Sequence, residues 1–328
     1  MILYIVRRIV AGVLTLLLIA FVTIALFFGV PSDPARLSCG KPCTPDQLQQ
    51  ARTYMQLDHG VVWQYKEFLK GIVAGRTFGS GNLVEECPAP CLGYSFPNHA
   101  GAGSIIWQRL PITLSMTVGA AILWLVVGIG LGSLAALRKG RWIDRFSTTF
   151  ALVGLSVPTF LLGLLTILVA GFWLDMIPVS GYVPLTESPG EWLWHLVGPC
   201  AVLSVLFAAS YIRITRTQLL EELSADHLVA MRGKGATRGR VSRHALRGVL
   251  VPISVMFGLD LAGLLTGAVI TEKVFSIQGL GNLLITSVRG NDLGLVVGMT
   301  LFAAFAVIMA NLIVDLVHPF LDPRVRDA

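Results

Sequence analysis

Residues 217–252 read TQLLEELSADHLVAMRGKGATRGRVSRHALRGVLVP, a polar interval set between two strongly apolar segments. Including Arg213 and Arg216 at its entry, this region carries eight basic residues; the others are Arg232, Lys234, Arg238, Arg240, Arg243 and Arg247. The 328-residue chain has 13% charged and 54% hydrophobic residues and a mean hydropathy of +0.73, whereas soluble domains carry about 25% charged residues. The composition predicts a membrane protein in which residues 217–252 form a charged loop between spans.

Six apolar stretches are long enough to cross a bilayer as helices, since about 30 Å of hydrocarbon requires about 20 helical residues. Five of them contain no Asp, Glu, Lys or Arg: 9–32, 110–137, 146–174, 192–212 and 293–314. The sixth, 248–271, is interrupted only by Asp260. We interpret the first stretch as a retained helix, because it is longer than the apolar region of a signal peptide. The sequence predicts an all-α, polytopic fold with six transmembrane helices.

The distribution of basic residues predicts the orientation of these spans. With the amino terminus inside, 16 of the 25 Lys and Arg residues fall in inner segments, including the eight named above. The predicted outer loop between Asp175 and His195 contains none. Positive charge favours cytoplasmic loops, and long outer segments are largely exempt from this rule. We therefore expect both termini in the cytoplasm, and we attribute the net charge of +6 to orientation rather than to nucleic-acid binding.

Residues 31–104, hereafter the outer segment, separate the first span (1–30) from the five later spans (105–328). Helical spacing at 47–57 and 62–72 predicts two short helices there, and the rest is predicted as loop. The segment contains four of the five cysteines: Cys39, Cys43, Cys87 and Cys91. Their paired spacing is compatible with a zinc site, but on an oxidising outer face two disulfides are the better interpretation. Three connectivities are possible, and cross-pairing of the two clusters would stabilise the segment most.

Several residues within the predicted spans stand out. Small residues at Gly128 and Gly132 predict a close approach between helices. Pro158 predicts a kink, either at a moving part of the pathway, together with Ser156, or simply packed. Asp260 lies near the middle of its span, where a carboxylate is costly unless it faces water or a partner. It is interpreted either as a pathway residue or as a buried structural hydrogen-bond partner, and Cys200 as inert packing.

The segment after the fifth span combines charged and apolar residues. Glu272 and Lys273 are predicted to be interfacial. Residues 274–284 are too apolar for a solvated loop and predict a short re-entrant or surface-lying helix.

The motifs that would carry catalysis or nucleotide binding are absent from the sequence. It contains no Gly-x4-Gly-Lys-Ser/Thr, His-Glu-x-x-His or Gly-x-Ser-x-Gly motif, and its six histidines form no ligand-spaced pair. We therefore predict no catalytic residue, no metal site and no cofactor on this chain. Because intramembrane charge is sparse, we expect the energy for any transport to come from another chain.

A series of short motifs resembles the permease subunits of dipeptide/oligopeptide (and nickel) ATP-binding-cassette importers. The motifs cover nearly the whole chain and occur at 1–9 (MILYIVRRI), 108–114 (QRLPITL), 134–144 (LAALRKGRWID), 154–160 (GLSVPTF), 177–181 (IPVSG), 274–281 (VFSIQGLG) and 321–326 (LDPRVR). Each is short, and their order carries the resemblance. It implies a type I importer fold and a multi-pass protein of the bacterial inner membrane.

Residues 217–247 resemble the cytoplasmic coupling loop of such permeases. Ala230 and Gly235 match the Ala and Gly of its Glu-Ala-Ala…Gly motif, whereas Val229 and Met231 replace the Glu and the second Ala. The resemblance implies a short helix at about 225–233 that docks into a groove of an ATPase. The implied coupling residues are Ala230, Met231, Arg232, Gly233, Lys234, Gly235 and Ala236.

The resemblance also implies partners and a function. The partners are a homologous second permease, two ATPase subunits that bind ATP and Mg, and an extracytoplasmic solute-binding protein. The chain would form half of the translocation pathway of a peptide importer and would not itself be an enzyme. Two alternatives stay open: an importer for nickel, haem or another small solute, and an ion-coupled secondary transporter that uses Asp260.

Overall fold

The computed structural model describes residues 2–29, 35, 44–54, 56–80 and 83–321. Within them the chain is mainly helical. The helices are α1 (Ile2–Gly29), α2 (Pro45–Tyr54), α3 (Val61–Ala74), α4 (Ala102–Leu137), α5 (Trp142–Ser156), α6 (Thr159–Thr166), α7 (Pro189–Leu223), α8 (Asp226–Gly233), α9 (Arg238–Gly267), α10 (Val269–Val274), α11 (Leu280–Arg289) and α12 (Leu293–Leu321). A π-helical segment, Ile167–Trp173, continues α6.

Five helices are long and apolar enough to cross a membrane, and their spanning parts are Val6–Phe27, Ala102–Leu137, Pro189–Leu223, Arg238–Leu261 and Leu293–Ile313. A sixth candidate is the pair Trp142–Ser156 and Thr159–Trp173, whose axes bend by 104°. The bend falls at Pro158, where the predicted kink is confirmed. Val157 has the extended backbone that the residue before a proline prefers (φ −88°, ψ 125°), so the helix breaks there.

The chain divides into two compact units. The first comprises Met1–Pro111 and Gly279–Met309, and the second comprises Ile112–Gln278 and Ala310–Ala328.

The first unit contains the described part of the outer segment. Helices α2 and α3 match the two predicted there, but the prediction of loop is wrong at 76–80, 83–87, 94–95 and 100–101, which are strands. Two antiparallel β-ribbons follow α3: β1 (Arg76–Ser80) pairs with β2 (Leu83–Cys87), and β3 (Tyr94–Ser95) pairs with β4 (Ala100–Gly101). They form because Phe78 and Tyr94 bury their rings in one small apolar cluster. The spacing of apolar residues along a short polar segment does not reveal such a cluster.

A disulfide joins Cys87 to Cys91 at the end of the first ribbon. These two cysteines are therefore paired with each other and not across to Cys39 or Cys43, which lie outside the described residues. The cross-pairing favoured for the outer segment is thus not the one adopted by Cys87 and Cys91.

The second unit is organised around α7. Its start has the expected cap, with Ser188 Oγ accepting a hydrogen bond from Glu191 N (3.4 Å) and Pro189 at the first helical position. Close approach to α4 is possible because a Cβ at Gly128 would lie 2.5 Å from Tyr211 Cβ, and one at Gly132 would lie 2.7 Å from Thr215 Cβ. The predicted small-residue contact is therefore confirmed.

Candidate functional site

The candidate coupling helix is α8, Asp226–Gly233, one residue shorter than predicted. Leu228 anchors it: the side chain is fully buried, in the same cluster as Leu219 of α7 and Val241 and Ala245 of α9. A leucine in the middle of a polar loop was the sequence signal for this anchor, and our sequence analysis missed it. Burial of apolar surface holds one side of α8 against its neighbours, and the other side remains exposed.

The exposed side of α8 and the turn after it contain most of the predicted coupling residues. Ala230, Arg232, Gly233, Lys234 and Gly235 are exposed, whereas Met231 and Ala236 are half-buried and pack against the cluster around Leu228. Val229, at the position where the related motif has Glu, is 52% exposed. An exposed apolar side chain therefore lies in the middle of α8, and the exposed cations Arg232 and Lys234 follow it in the chain.

Gly235 ends this region with a left-handed backbone (φ +84°). Its N–H donates to Arg232 O (3.0 Å), and Ala236 N–H donates to Met231 O (3.1 Å), so the turn closes the end of α8. A side chain at Gly235 would meet open space, but the positive φ would strain it. Glycine is required here by the backbone and not by crowding.

Two polar contacts connect α8 to the preceding helix α7. Arg232 Nη2 donates to Leu223 O (3.1 Å), and His227 Nε2 lies 3.3 Å from Glu222 Oε1. These contacts, together with Leu228, fix the orientation of α8 relative to α7.

A buried ion pair precedes the loop that leads to α8. Arg216 of α7 donates from Nε and Nη2 to the two carboxylate oxygens of Asp144 in α5, at 2.5 and 3.1 Å. Asp144 Oδ2 also accepts from Gly140 N (2.8 Å), in the turn that follows α4. Asp144 is only 6% exposed. This bidentate pair links three elements of the second unit, whereas the sequence indicates its members only as parts of a motif and of a basic cluster.

Asp260, predicted as either a pathway residue or a structural partner, accepts a hydrogen bond from Tyr211 Oη at 2.8 Å. Tyr211 is 1% exposed and lies beside Trp124, with ring centroids 6.3 Å apart, while Asp260 itself is half-buried. The contact joins α7 to α9. It satisfies one carboxylate oxygen, and both interpretations of Asp260 remain compatible with it.

The other predicted pathway residues lie elsewhere in the second unit. Ser156 is the last residue of α5, and its Oγ donates to Leu152 O of the same helix (2.8 Å). Pro158 lies across the break, as the residue that immediately precedes α6. Within the described residues, no hydrogen bond connects either of them to Asp260, so these three do not form one cluster of polar contacts.

The interfacial interpretation of Glu272 is wrong, whereas Lys273 is exposed. Glu272 is fully buried, and its Oε1 accepts from Thr113 Oγ1 of α4 at 2.7 Å. Charges at the ends of spans are commonly interfacial, and only the packing of α10 against its neighbours reveals this exception. The short helix predicted over 274–284 corresponds to α11, which begins later, at Leu280, and ends at Arg289.

Two family models match successive parts of the chain. Residues 1–117 match the family model described as Binding-prot-dependent transport system membrane comp, N-term. Residues 128–327 match the model described as Binding-protein-dependent transport system inner membrane component.

Three relatives illustrate the similarity over full length. A putative peptide transport system permease protein of Brucella abortus (strain 2308) is 33% identical over 324 residues, covering 98% of each chain. A dipeptide transport system permease protein of Lactococcus lactis subsp. cremoris is 31% identical, covering 99% of this chain and all of the relative. The protein of the same description from Escherichia coli (strain K12) is 31% identical, covering 98% of each. The chain therefore belongs to the binding-protein-dependent transport system inner membrane components, as a non-enzymatic, multi-pass permease subunit of the peptide ABC importer family in the bacterial inner membrane.

Proposed function

We propose that this chain forms half of the translocation pathway of an ATP-driven peptide importer, and that residues 217–247 receive the motion of a separate ATPase. Peptides are the proposed substrate because the relatives carry peptide and dipeptide transport in their names. The proposed partners are a homologous second permease, two ATPase subunits that bind ATP and Mg, and a solute-binding protein. Both termini and residues 217–247 would face the cytoplasm.

The observation that carries the proposal is the geometry of α8. A helix of eight residues that is anchored by one buried leucine and exposed on its other side is suited to docking in a groove. The exposed apolar side chain of Val229 would enter the groove. The exposed cations that follow it, Arg232 and Lys234, would pair with acidic groups at the rim. Val229 stands where the related motif has Glu, so packing of its apolar side chain would replace the contact of that Glu with the ATPase.

Movement of α8 would reach the spans through the contacts already described. Leu228 ties α8 to both α7 and α9, and the Asp144–Arg216 pair ties α7 to α5. When the ATPases close on bound ATP, this movement would open the pathway to the outer side of the membrane. Asp260 of α9, which accepts a hydrogen bond from Tyr211 of α7, is proposed to line that pathway. Ser156 and Pro158, near the break between α5 and α6, are proposed to line it as well.

The test compares two glycines. Gly235→Trp forces a side chain into a left-handed backbone, whereas Gly239→Trp places the same side chain at an exposed helical position with open space around it. Strain of about 1–2 kcal/mol at Gly235 corresponds to roughly a 5- to 30-fold shift in the conformation of the turn. In the reconstituted importer, we expect Gly235→Trp to lower the amount of peptide transported per ATP hydrolysed by a factor in this range. Gly239→Trp should change it much less, and normal coupling in Gly235→Trp would refute the assigned role.

A further inference from the structure

The connection between α4 and α5 carries four exposed basic residues, hereafter the basic turn: Arg138, Lys139, Arg141 and Arg145. The spanning part of α4 ends at Leu137, and the next candidate span begins at Trp142. The basic turn therefore lies at a boundary of the membrane, where lipid headgroups are found. The proposed coupling function gives these four cations no role.

Backbone hydrogen bonds hold the basic turn in one conformation. Arg141 N–H donates to Arg138 O (3.0 Å), and Arg145 N–H donates to Arg141 O (3.1 Å). Between them, Gly140 has a left-handed backbone (φ +79°), and its N–H donates to Asp144 Oδ2 (2.8 Å). The four cations therefore lie on one short, ordered stretch of chain.

The chain itself does not compensate the charge of the basic turn. Asp144 is the only Asp or Glu in residues 110–174, and both of its carboxylate oxygens accept hydrogen bonds from Arg216. Among the described residues, the ion pairs include none of the four cations of the basic turn. Like charges on one turn repel one another, so binding of an anion there would be favourable.

Exposed aromatic rings adjoin the basic turn. Trp142 is 74% exposed and Phe146 is 49% exposed, and their rings stack with centroids 5.6 Å apart. Arg145 lies on the same face of α5, three residues after Trp142. Farther along this face, Val153 is also exposed, whereas the residues that α5 buries lie on its other side. An exposed, largely apolar helix face thus begins beside the cations.

The combination of these two features decides between classes of anion. A soluble anion or an acidic protein surface would require only the cations. An anionic phospholipid requires both, since its phosphate needs positive charge and its acyl chains need apolar surface. Tryptophan suits the level of the headgroups because its ring is apolar and its N–H is polar.

We propose that the basic turn and the adjoining face of α5 bind one anionic phospholipid. Arg141 and Arg145, which stand on either side of Trp142 in the chain, contact the phosphate, because a guanidinium binds phosphate oxygens through charged hydrogen bonds. The acyl chains lie along α5 over Phe146 and Val153. The Asp144–Arg216 pair holds the turn in place and leaves its cations to the lipid.

The binding test uses the full chain purified in detergent and two lipids with the same acyl chains. Dioleoylphosphatidylglycerol has an anionic headgroup, and dioleoylphosphatidylcholine has a zwitterionic one. We expect native mass spectrometry to show saturable binding of the anionic lipid, with the zwitterionic lipid weaker by about 25-fold. This ratio corresponds to a factor of about five for each of two arginines. Equal affinities, or no saturable binding of the anionic lipid, would overturn the proposal.

Variants then assign the lipid to the basic turn. The double variant Arg141→Gln/Arg145→Gln leaves Asp144 in place and should reduce the affinity for the anionic lipid to that for the zwitterionic one. The matched control, Arg240→Gln/Arg243→Gln, removes the same charge from two exposed positions of α9 and should retain most of the affinity. Unchanged affinity in the first variant, or an equal loss in the control, would contradict the site.

An acidic surface of another subunit is the competing occupant of the basic turn. If such a surface covered it, Arg141→Gln/Arg145→Gln would lose other subunits of the importer on purification and would bind the anionic lipid normally. That pair of results would refute the proposal, whereas normal assembly with loss of lipid binding would support it. The lipid site does not involve α8, so its failure would leave the proposed function intact.

Discussion

Individual residues show where the sequence was informative and where it was not. Asp260 could be found from sequence because a carboxylate within a span is rare and costly. Its partner Tyr211 could not, because it lies 49 residues away and a tyrosine in a span is unexceptional. Glu272 was assigned to the interface because local sequence says nothing about burial by α4. The sequence thus predicted which residues are chemically unusual, but not which residues they contact.

The Asp144–Arg216 pair leads to a stability prediction. Arg216→Gln leaves the Asp144 carboxylate, which is 6% exposed, without its two charged hydrogen bonds. We expect a loss of about 1.5–3 kcal/mol in the free energy of unfolding, seen as a lower Tm of the chain in detergent. Arg145→Gln, at an exposed arginine one residue from Asp144, should change stability by no more than about 0.5 kcal/mol. Equal effects of the two substitutions would mean that the pair contributes little.

The proposed pathway role of Asp260 has its own test. Asp260→Asn keeps the size of the side chain and a hydrogen-bonding oxygen for Tyr211, but removes the charge. If the carboxylate faces the pathway, peptide transport should fall by about tenfold, as expected for a loss of about 1.4 kcal/mol, while the complex still assembles. Tyr211→Phe, which removes only the hydroxyl, separates the structural contribution. Normal transport by Asp260→Asn would exclude the pathway role and leave the structural interpretation.

Elements were predicted better than their tertiary contacts. The spans, the break at Pro158 and helix α8 all followed from hydropathy, proline chemistry and the coupling-loop resemblance. The β1–β2 ribbon was missed, although Gly81-Asn82 in the sequence is a two-residue turn signal that could have indicated it. The anchoring of α8 was missed as well, because it depends on residues of α9 that follow more than ten positions later.

Anchoring of α8 is testable by truncating two neighbouring apolar side chains. Leu228→Ala removes a fully buried side chain and should cost about 2–5 kcal/mol if the site does not collapse, lowering Tm. Val229→Ala removes an exposed one and should leave Tm nearly unchanged while reducing transport. The two substitutions therefore separate stability from docking. An unchanged Tm in Leu228→Ala would show that α8 is not held as described.

For the molecule as a whole, sequence was sufficient to identify the family because ordered motifs extend from residue 1 to residue 326. It could not identify the hydrogen bond between Ser95 and Asp292, which are 197 positions apart and meet only through folding. It also could not fix the cysteine connectivity, which depends on the ribbon that ends at Cys87. Long-range pairing is the part of this molecule that local patterns do not encode.

The central claim is that α8 contacts an ATPase on the cytoplasmic side. A photo-crosslinking amino acid at Val229, in the assembled importer, tests it directly, with the same group at exposed His99 of the outer segment as the control. We predict an adduct with the ATPase subunit at Val229, changed in yield by ATP, and none at His99. An ATPase adduct at His99, or none at Val229 in an assembled and active complex, would contradict this claim.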